Sequence, residues 1–119
     1  MKYTESIKSN EDFREIYRTG KSYANKYLIM YVKKNDTGYN RIGISVSKKV
    51  GNSVVRHRIT RLIRESYRLS EDSFLSGLDI IVVARVGARE KNYSEIESAL
   101  LHLMKLHKIG KNSVTSDRI

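Results

Sequence analysis

Apolar positions recur along this chain with two periods, and each change of period marks a new element. Ser9 or Asn10 offers a helix cap followed by acids, and Phe13, Ile16 and Tyr17 then share one face. This predicts a helix over about 9–18, ended by Gly20. In NKYLIMYVKKN the period falls to two: Leu28, Met30 and Val32 point one way, and Tyr27, Ile29, Tyr31 and Lys33 the other. NDTGYN reads as a turn. RIGISVS is a second strand, with Ile42, Ile44 and Val46 opposite Gly43, Ser45 and Ser47. A helical period returns from about Ser53 to Leu69, with Val55, Ile59, Leu62, Ser66 and Leu69 as its inner face. After a loop through Gly77, LDIIVVAR is apolar on both faces and reads as a central buried strand. Asn92 or Ser94 starts a last helix, with Ser94 and Glu97 spaced as a capping box and Ile96, Ala99, Leu100 and Leu103 as its buried stripe. GKNSVTSDRI reads as a frayed tail.

The order predicts one α+β sandwich domain over 1–119: α-β-β-(β)-α-β-α, with a mixed sheet of about four strands packed by helices. The ordered core is expected over about 9–108, with 110–119 as a flexible tail.

Composition narrows the class. The 119 residues allow one modest core, and 39% hydrophobic with 30% charged residues fits a folded domain. With no cysteine, disulfides and thiolate metal sites are excluded. No apolar run approaches the roughly 18–20 residues of a membrane span. MKYTESIKSNEDF has no apolar signal core, so a cytoplasmic protein is expected.

Charge changes the picture more. Of the net +10, the segment from Arg41 to Arg68 holds +7: Arg41, Lys48, Lys49, Arg56, Arg58, Arg61, Arg64 and Arg68 against Glu65 alone. Such concentration is the footprint of a polyanion binder. A membrane surface fits poorly, because the charged face lacks the large apolar residues that enter lipid. On the middle helix His57, Arg61, Arg64 and Arg68 fall opposite the inner face, and Arg56 and Arg58 flank that face near the N-terminus. Solvated helix faces usually mix signs, because like charges four apart repel. Cations at a helix N-terminus also oppose its dipole. A phosphate partner explains both, and the free N–H groups after Gly51-Asn52 would add anion donors. SKKVGNSVV lacks the phosphate-loop spacing G-x-x-x-x-G-K-[ST], which argues against a nucleotide site.

SVSKKVGNSVVRHRITRLIRE, with NEDFREIYRTGKSYANKYLIMYV before it and DIIVVAR after it, closely resembles the protein subunit of bacterial ribonuclease P. The resemblance runs over about 9–107, and its signature is an Arg-Asn-Arg triplet opening the arginine helix after a Gly-Asn turn. It implies a holoenzyme in which a large RNA cleaves precursor tRNA with Mg²⁺ held mainly by that RNA, in a 1:1 complex with the protein. The protein would aid assembly and hold the 5′ leader, with no catalytic side chain and no metal site of its own. It also implies a left-handed βαβ crossover through the arginine helix, as in a ribosomal-protein fold, where generic chirality gives a right-handed one. RNA-binding residues are then expected at Lys48, Lys49, Asn52, Arg56, His57, Arg58, Arg61, Arg64 and Arg68. Two positions depart from the family pattern: the triplet is Arg56-His57-Arg58, and Thr60 stands where lysine is usual.

Phe13 and Tyr17 are one turn apart on the first helix, and Tyr27, Ile29 and Tyr31 line one strand face near Arg14, Arg18 and Lys33. An aromatic stripe is often core, but rings beside cations suit unpaired nucleotides, each stack contributing about 1–3 kcal/mol. The resemblance places Phe13, Arg14, Tyr17, Ile29 and Tyr31 in the leader cleft, with Ile29 packing rather than stacking and Tyr17 where phenylalanine is common. His57, His102 and His107 are too scattered for a metal site, and the latter two read as surface or boundary residues. Asp79 lacks a carboxylate partner for acid–base chemistry. The alternatives are a ribosomal or RNA-chaperone protein outside any nuclease complex, and an autonomous nuclease, against which the missing catalytic constellation argues.

Overall fold

Ser9 opens the first helix as its sequence requires, its Oγ accepting from the amides of Glu11 (3.1 Å) and Asp12 (3.4 Å). The computed structural model describes residues 1–111. Its elements run β1 (Thr4–Ser6), α1 (Asn10–Thr19), β2 (Lys21–Ala24), β3 (Leu28–Lys34), β4 (Asn40–Ser45), α2 (Ser53–Ser70), β5 (Leu78–Ala84) and α3 (Tyr93–His107). Short 3-10 turns cover Glu71–Ser73 and Val86–Ala88. The strands form one mixed sheet in the order β1-β4-β5-β3-β2. β5 lies at its centre, parallel to β4 and antiparallel to β3, and α2 is the crossover between the parallel pair.

The alternation along β5 separates two cores. Ile80 and Val82 face α2 and α3, joining Leu28, Met30, Ile42, Ile59, Ile63, Ile96, Leu100 and Leu103 in the main cluster. Ile81 and Val83 face α1, where Ile81 packs with Ile16 and Ile7 in a smaller one. β5 is covered on both faces, as its unbroken apolar run predicts. The predicted stripe of α3 is buried at all four positions.

The sheet has five strands rather than about four. Both short edge strands escaped the reading because neither carries an alternating apolar face: β1 is held by polar bonds, and β2 turns only Tyr23 onto the main core. β1 pairs in parallel with β4, and its backbone is pinned by the buried Glu71 carboxylate, which accepts from the amides of Lys2 (2.9 Å) and Tyr3 (3.0 Å) and from Thr4 Oγ1 (2.5 Å). The ordered fold therefore begins before residue 9. β4 starts at Asn40, whose side chain is buried and bonds Leu75 O and the Leu78 amide, and it ends before Val46.

On α2 the inner face is rotated from the predicted one. Ile59, Ile63, Ser66 and Tyr67 are buried, Val55 and Leu62 are half-buried, and Leu69 is 60% exposed. Tyr67 is admitted because its hydroxyl meets Thr4 Oγ1 (2.8 Å) and Asn40 Nδ2 (3.3 Å), and its ring packs on Phe74. The capping box of α3 is Asn92 with Glu95, not Ser94 with Glu97. At the predicted tail, Gly110 bridges Phe74 and the Leu75 amide bonds Ile109 O (2.7 Å); residues 112–119 lie outside the described ones.

Candidate nucleic-acid interface

The cationic surface begins at the turn before α2. Val50 is buried and its amide bonds Ser47 O (3.1 Å), which leaves Lys48 and Lys49 on the exposed outside. A side chain at Gly51 would meet Val55 Cβ at 2.8 Å, so the residue there must be small for the chain to turn tightly into the helix. Asn52 then caps α2 by accepting from the Val55 amide (3.0 Å). That leaves its NH₂ group as the part able to meet an anion. No acid lies in the first turn, so the positive end of the helix dipole is not offset there.

Along α2, His57, Arg61, Arg64 and Arg68 are exposed on the outer face, as the spacing predicts. Among the described residues, Lys48, Lys49, His57, Arg61 and Arg64 have no hydrogen-bonded or ionic partner. Arg68 is engaged: its guanidinium forms a fork with Glu65, which lowers the Glu65 carboxyl below its usual range. Arg56 is half-buried and turns back toward Gly51 O (3.4 Å). Arg58 reaches across to the backbone before α3, donating to Lys91 O (2.6 Å) and Arg89 O (3.3 Å). Thr60 is half-buried one turn after Arg56, and its hydroxyl donates to Arg56 O (2.8 Å). Arg41, counted with this charge in the sequence, belongs elsewhere. It lies on the α1 side of the sheet, where it forks onto Asp79 (2.8 and 2.7 Å) and bonds Asp12 (3.1 Å).

That ion cluster anchors α1 to the sheet beside the second surface. Asp79 is buried, which by itself would raise its carboxyl, but Arg41 and the Asn35 amide hold it below the usual range. Arg41 is correspondingly held more firmly protonated by Asp79. The aspartate that has no acid–base partner in the sequence is therefore a structural counter-ion, and the apolar strand it opens was the available signal.

Next to the cluster, Gly43 on β4 leaves the space that Phe13 fills: a Cβ there would meet Phe13 Cζ at 2.6 Å. Phe13 and Tyr17 stand 6.1 Å apart between ring centres, and Tyr17 meets Tyr31 edge-on at 4.8 Å. A cavity of about 430 Å³ opens here, lined by Asn10, Phe13, Arg14, Tyr17, Ile44 and Ser45. Tyr31 reaches it through Tyr17. Ile29 lies on the same sheet face but does not line it, whereas Asn10, Ile44 and Ser45 do and were missed. Arg14 is exposed and unpartnered among the described residues, while Arg18 and Lys33 share Glu15 at 2.7 and 3.3 Å. Tyr27 does not join the cleft: it precedes β3 and packs on the main core, with Lys91 Nζ over its ring.

Among the described residues no group of three or more His, Asp or Glu could hold a metal, and no helix is long and apolar enough to cross a membrane. His102 is exposed beside Asn25, and His107 is a boundary residue bonded to Met30 O, as the sequence suggests.

The family model for ribonuclease P matches residues 1–108. The chain belongs to the ribonuclease P protein family. It is 66% identical over 110 residues to the ribonuclease P protein component of Lachnoclostridium phytofermentans, covering 92% of this chain and 95% of that one. The corresponding protein of Alkaliphilus metalliredigens is 52% identical, with 92% and 98% covered. Among solved structures, the RNase P protein of Staphylococcus aureus superposes with a TM-score of 0.81 at 40% identity, covering 87% of this chain and 95% of that chain. The Thermotoga maritima protein gives 0.79 at 30% identity, with 86% and 96% covered. The five-stranded sheet with three helices is thus a ribonuclease P protein fold, and the arginine helix and the aromatic cleft lie on its opposite faces.

Proposed function

We propose that this ribonuclease P protein binds the catalytic RNA subunit through the turn before α2 and the outer face of α2, and takes the 5′ leader of precursor tRNA along α1. The observation that carries this reading is the row Lys48, Lys49, His57, Arg61 and Arg64, unpartnered among the described residues, beside an acid-free helix N-terminus. The lysines and arginines of that row repel one another in the free protein, and phosphates would relieve that repulsion while releasing counterions. Asn52, Arg56 and Arg68 extend the row, and Arg58 braces it. In the cleft, Phe13 and Tyr17 supply rings and Arg14 supplies charge, with Tyr31 edge-on behind Tyr17 and Ile29 as packing on the same sheet face, a combination suited to unpaired nucleotides.

The acids near the cleft, Asp12, Glu15 and Asp79, are occupied by arginine or lysine, so they do not fit a metal-assisted role. In this reading leader removal falls to the RNA and the Mg²⁺ it holds, in a 1:1 complex acting in the cytoplasm, and the protein contributes binding and placement.

Incubating precursor tRNA with the protein, with a ribonuclease P RNA, and with both at physiological Mg²⁺ tests this. Leader removal is expected to be efficient only in the mixture. Binding without any gain in cleavage would favour a general RNA chaperone, and cleavage by the protein alone would favour an autonomous nuclease.

A further inference from the structure

The outer face of α2 is not uniformly polar. Between it and the start of α3 lies a crevice of about 370 Å³, lined by Arg58, Arg61, Leu62, Arg64, Glu65 and Tyr93. Its volume is at the small end of the range for ligand sites, about 300–1,000 Å³. One wall is the half-buried ring of Tyr93, whose hydroxyl at the far end donates to Glu97 (2.8 Å). Arg58 ties the walls together, because its two carbonyl partners, Arg89 and Lys91, lie within three residues before the Asn92 cap of α3. Arg61 and Arg64 stand at the rim without partners among the described residues, and Glu65 is neutralised by Arg68.

A surface that reads phosphates alone has no use for an apolar slot braced open between arginines. We propose that this crevice takes one unstacked nucleobase of the ribonuclease P RNA, with Tyr93 as its stacking face, Leu62 beneath it, and Arg61 and Arg64 on the flanking phosphates. This deepens the reading of α2 as an RNA surface and rests on it. The RNA subunit is the occupant, because the leader cleft lies on the opposite face of the sheet. Stacking on an aromatic side chain adds affinity without adding charge. The site should therefore contribute to affinity and leave the salt dependence unchanged.

The test pairs Tyr93→Leu with Tyr93→Phe, titrated against ribonuclease P RNA at several salt concentrations. Tyr93→Leu is expected to weaken binding roughly tenfold with an unchanged salt slope, and Tyr93→Phe to bind as the parent does. Five-nucleotide oligoadenylate should shift the NMR resonances of the Leu62 methyls and the Tyr93 ring, whereas an abasic pentamer of equal charge should not. Equal shifts from both pentamers, parent-like binding by Tyr93→Leu, or equal losses in Tyr93→Leu and Tyr93→Phe would each overturn the base site. If Arg61→Ala also left both affinity and salt slope untouched, the reading of α2 as the RNA surface would fall with it.

Discussion

Arg58 illustrates how a charge can serve by geometry. Its guanidinium spans two carbonyls across a gap between helices, which a planar fork does and a single ammonium does not. Arg58→Lys should therefore destabilise the fold by about 1 kcal/mol in urea denaturation, while the salt slope of RNA binding stays as in the parent. If lysine preserved stability and Arg58→Ala lost one unit of slope, Arg58 would be a phosphate ligand instead of a brace. Lys108 offers a second single-residue case. It closes α3 in the left-handed region at φ 59°, bonding back to Met104 O and Lys105 O. A side chain pays about 1 kcal/mol there, so Lys108→Gly should raise the melting temperature without changing RNA affinity, and a fall would show that the lysine side chain holds the helix end.

At the scale of elements, the contact between α1 and β4 decides the shape of the leader cleft. Gly43 admits Phe13, and Phe13 stands beside Tyr17, which meets Tyr31. Gly43→Ala should push the Phe13 ring outward and weaken binding of leader-bearing precursor tRNA by about 1–3 kcal/mol, with mature tRNA nearly unaffected. Equal weakening of both would mark the rings as core. The same contact explains the mixed environment of α1: Ile16 is buried between helix and sheet, while Arg14 and Tyr17 stay exposed beside the cavity.

For the whole molecule, two buried carboxylates tie distant segments to the sheet and make its stability depend on acid. Burial alone would raise Glu71, but Thr4 and the amides of Lys2 and Tyr3 outweigh it and hold the carboxyl below its usual value. Asp79 is lowered likewise by Arg41 and Asn35, against the opposing effect of burial. A carboxyl depressed in the folded state contributes stability that is full above its unfolded value, about 4, and is lost as pH falls through the folded value. Stability should thus be level near neutrality and fall below about pH 4. Glu71→Gln should cost about 1–3 kcal/mol at pH 7 and flatten that acid limb, as read by chemical denaturation at a series of pH values. A limb of unchanged steepness would mean that other groups carry the acid dependence.

The sequence alone determined the elements that bury apolar faces, because periodicity reports burial directly: the stripe of α3, the doubly covered β5 and the alternation of β3. It also determined the outer face of α2, since His57, Arg61, Arg64 and Arg68 at helical spacing fall on one side. Edge strands β1 and β2 left no such trace, because Glu71 and neighbouring strands hold them through backbone and polar bonds. Nor could spacing separate Arg61 and Arg64, unpartnered among the described residues, from Arg41 and Arg58, whose charges are identical in the sequence. Their partners at Asp79 and the carbonyls of residues 89 and 91 are more than 30 positions away, and only folding brings them within bonding distance. Tyr67 was hidden for the same reason: a phenol is buried where hydroxyl partners meet it, and Thr4 and Asn40 meet only in the folded chain.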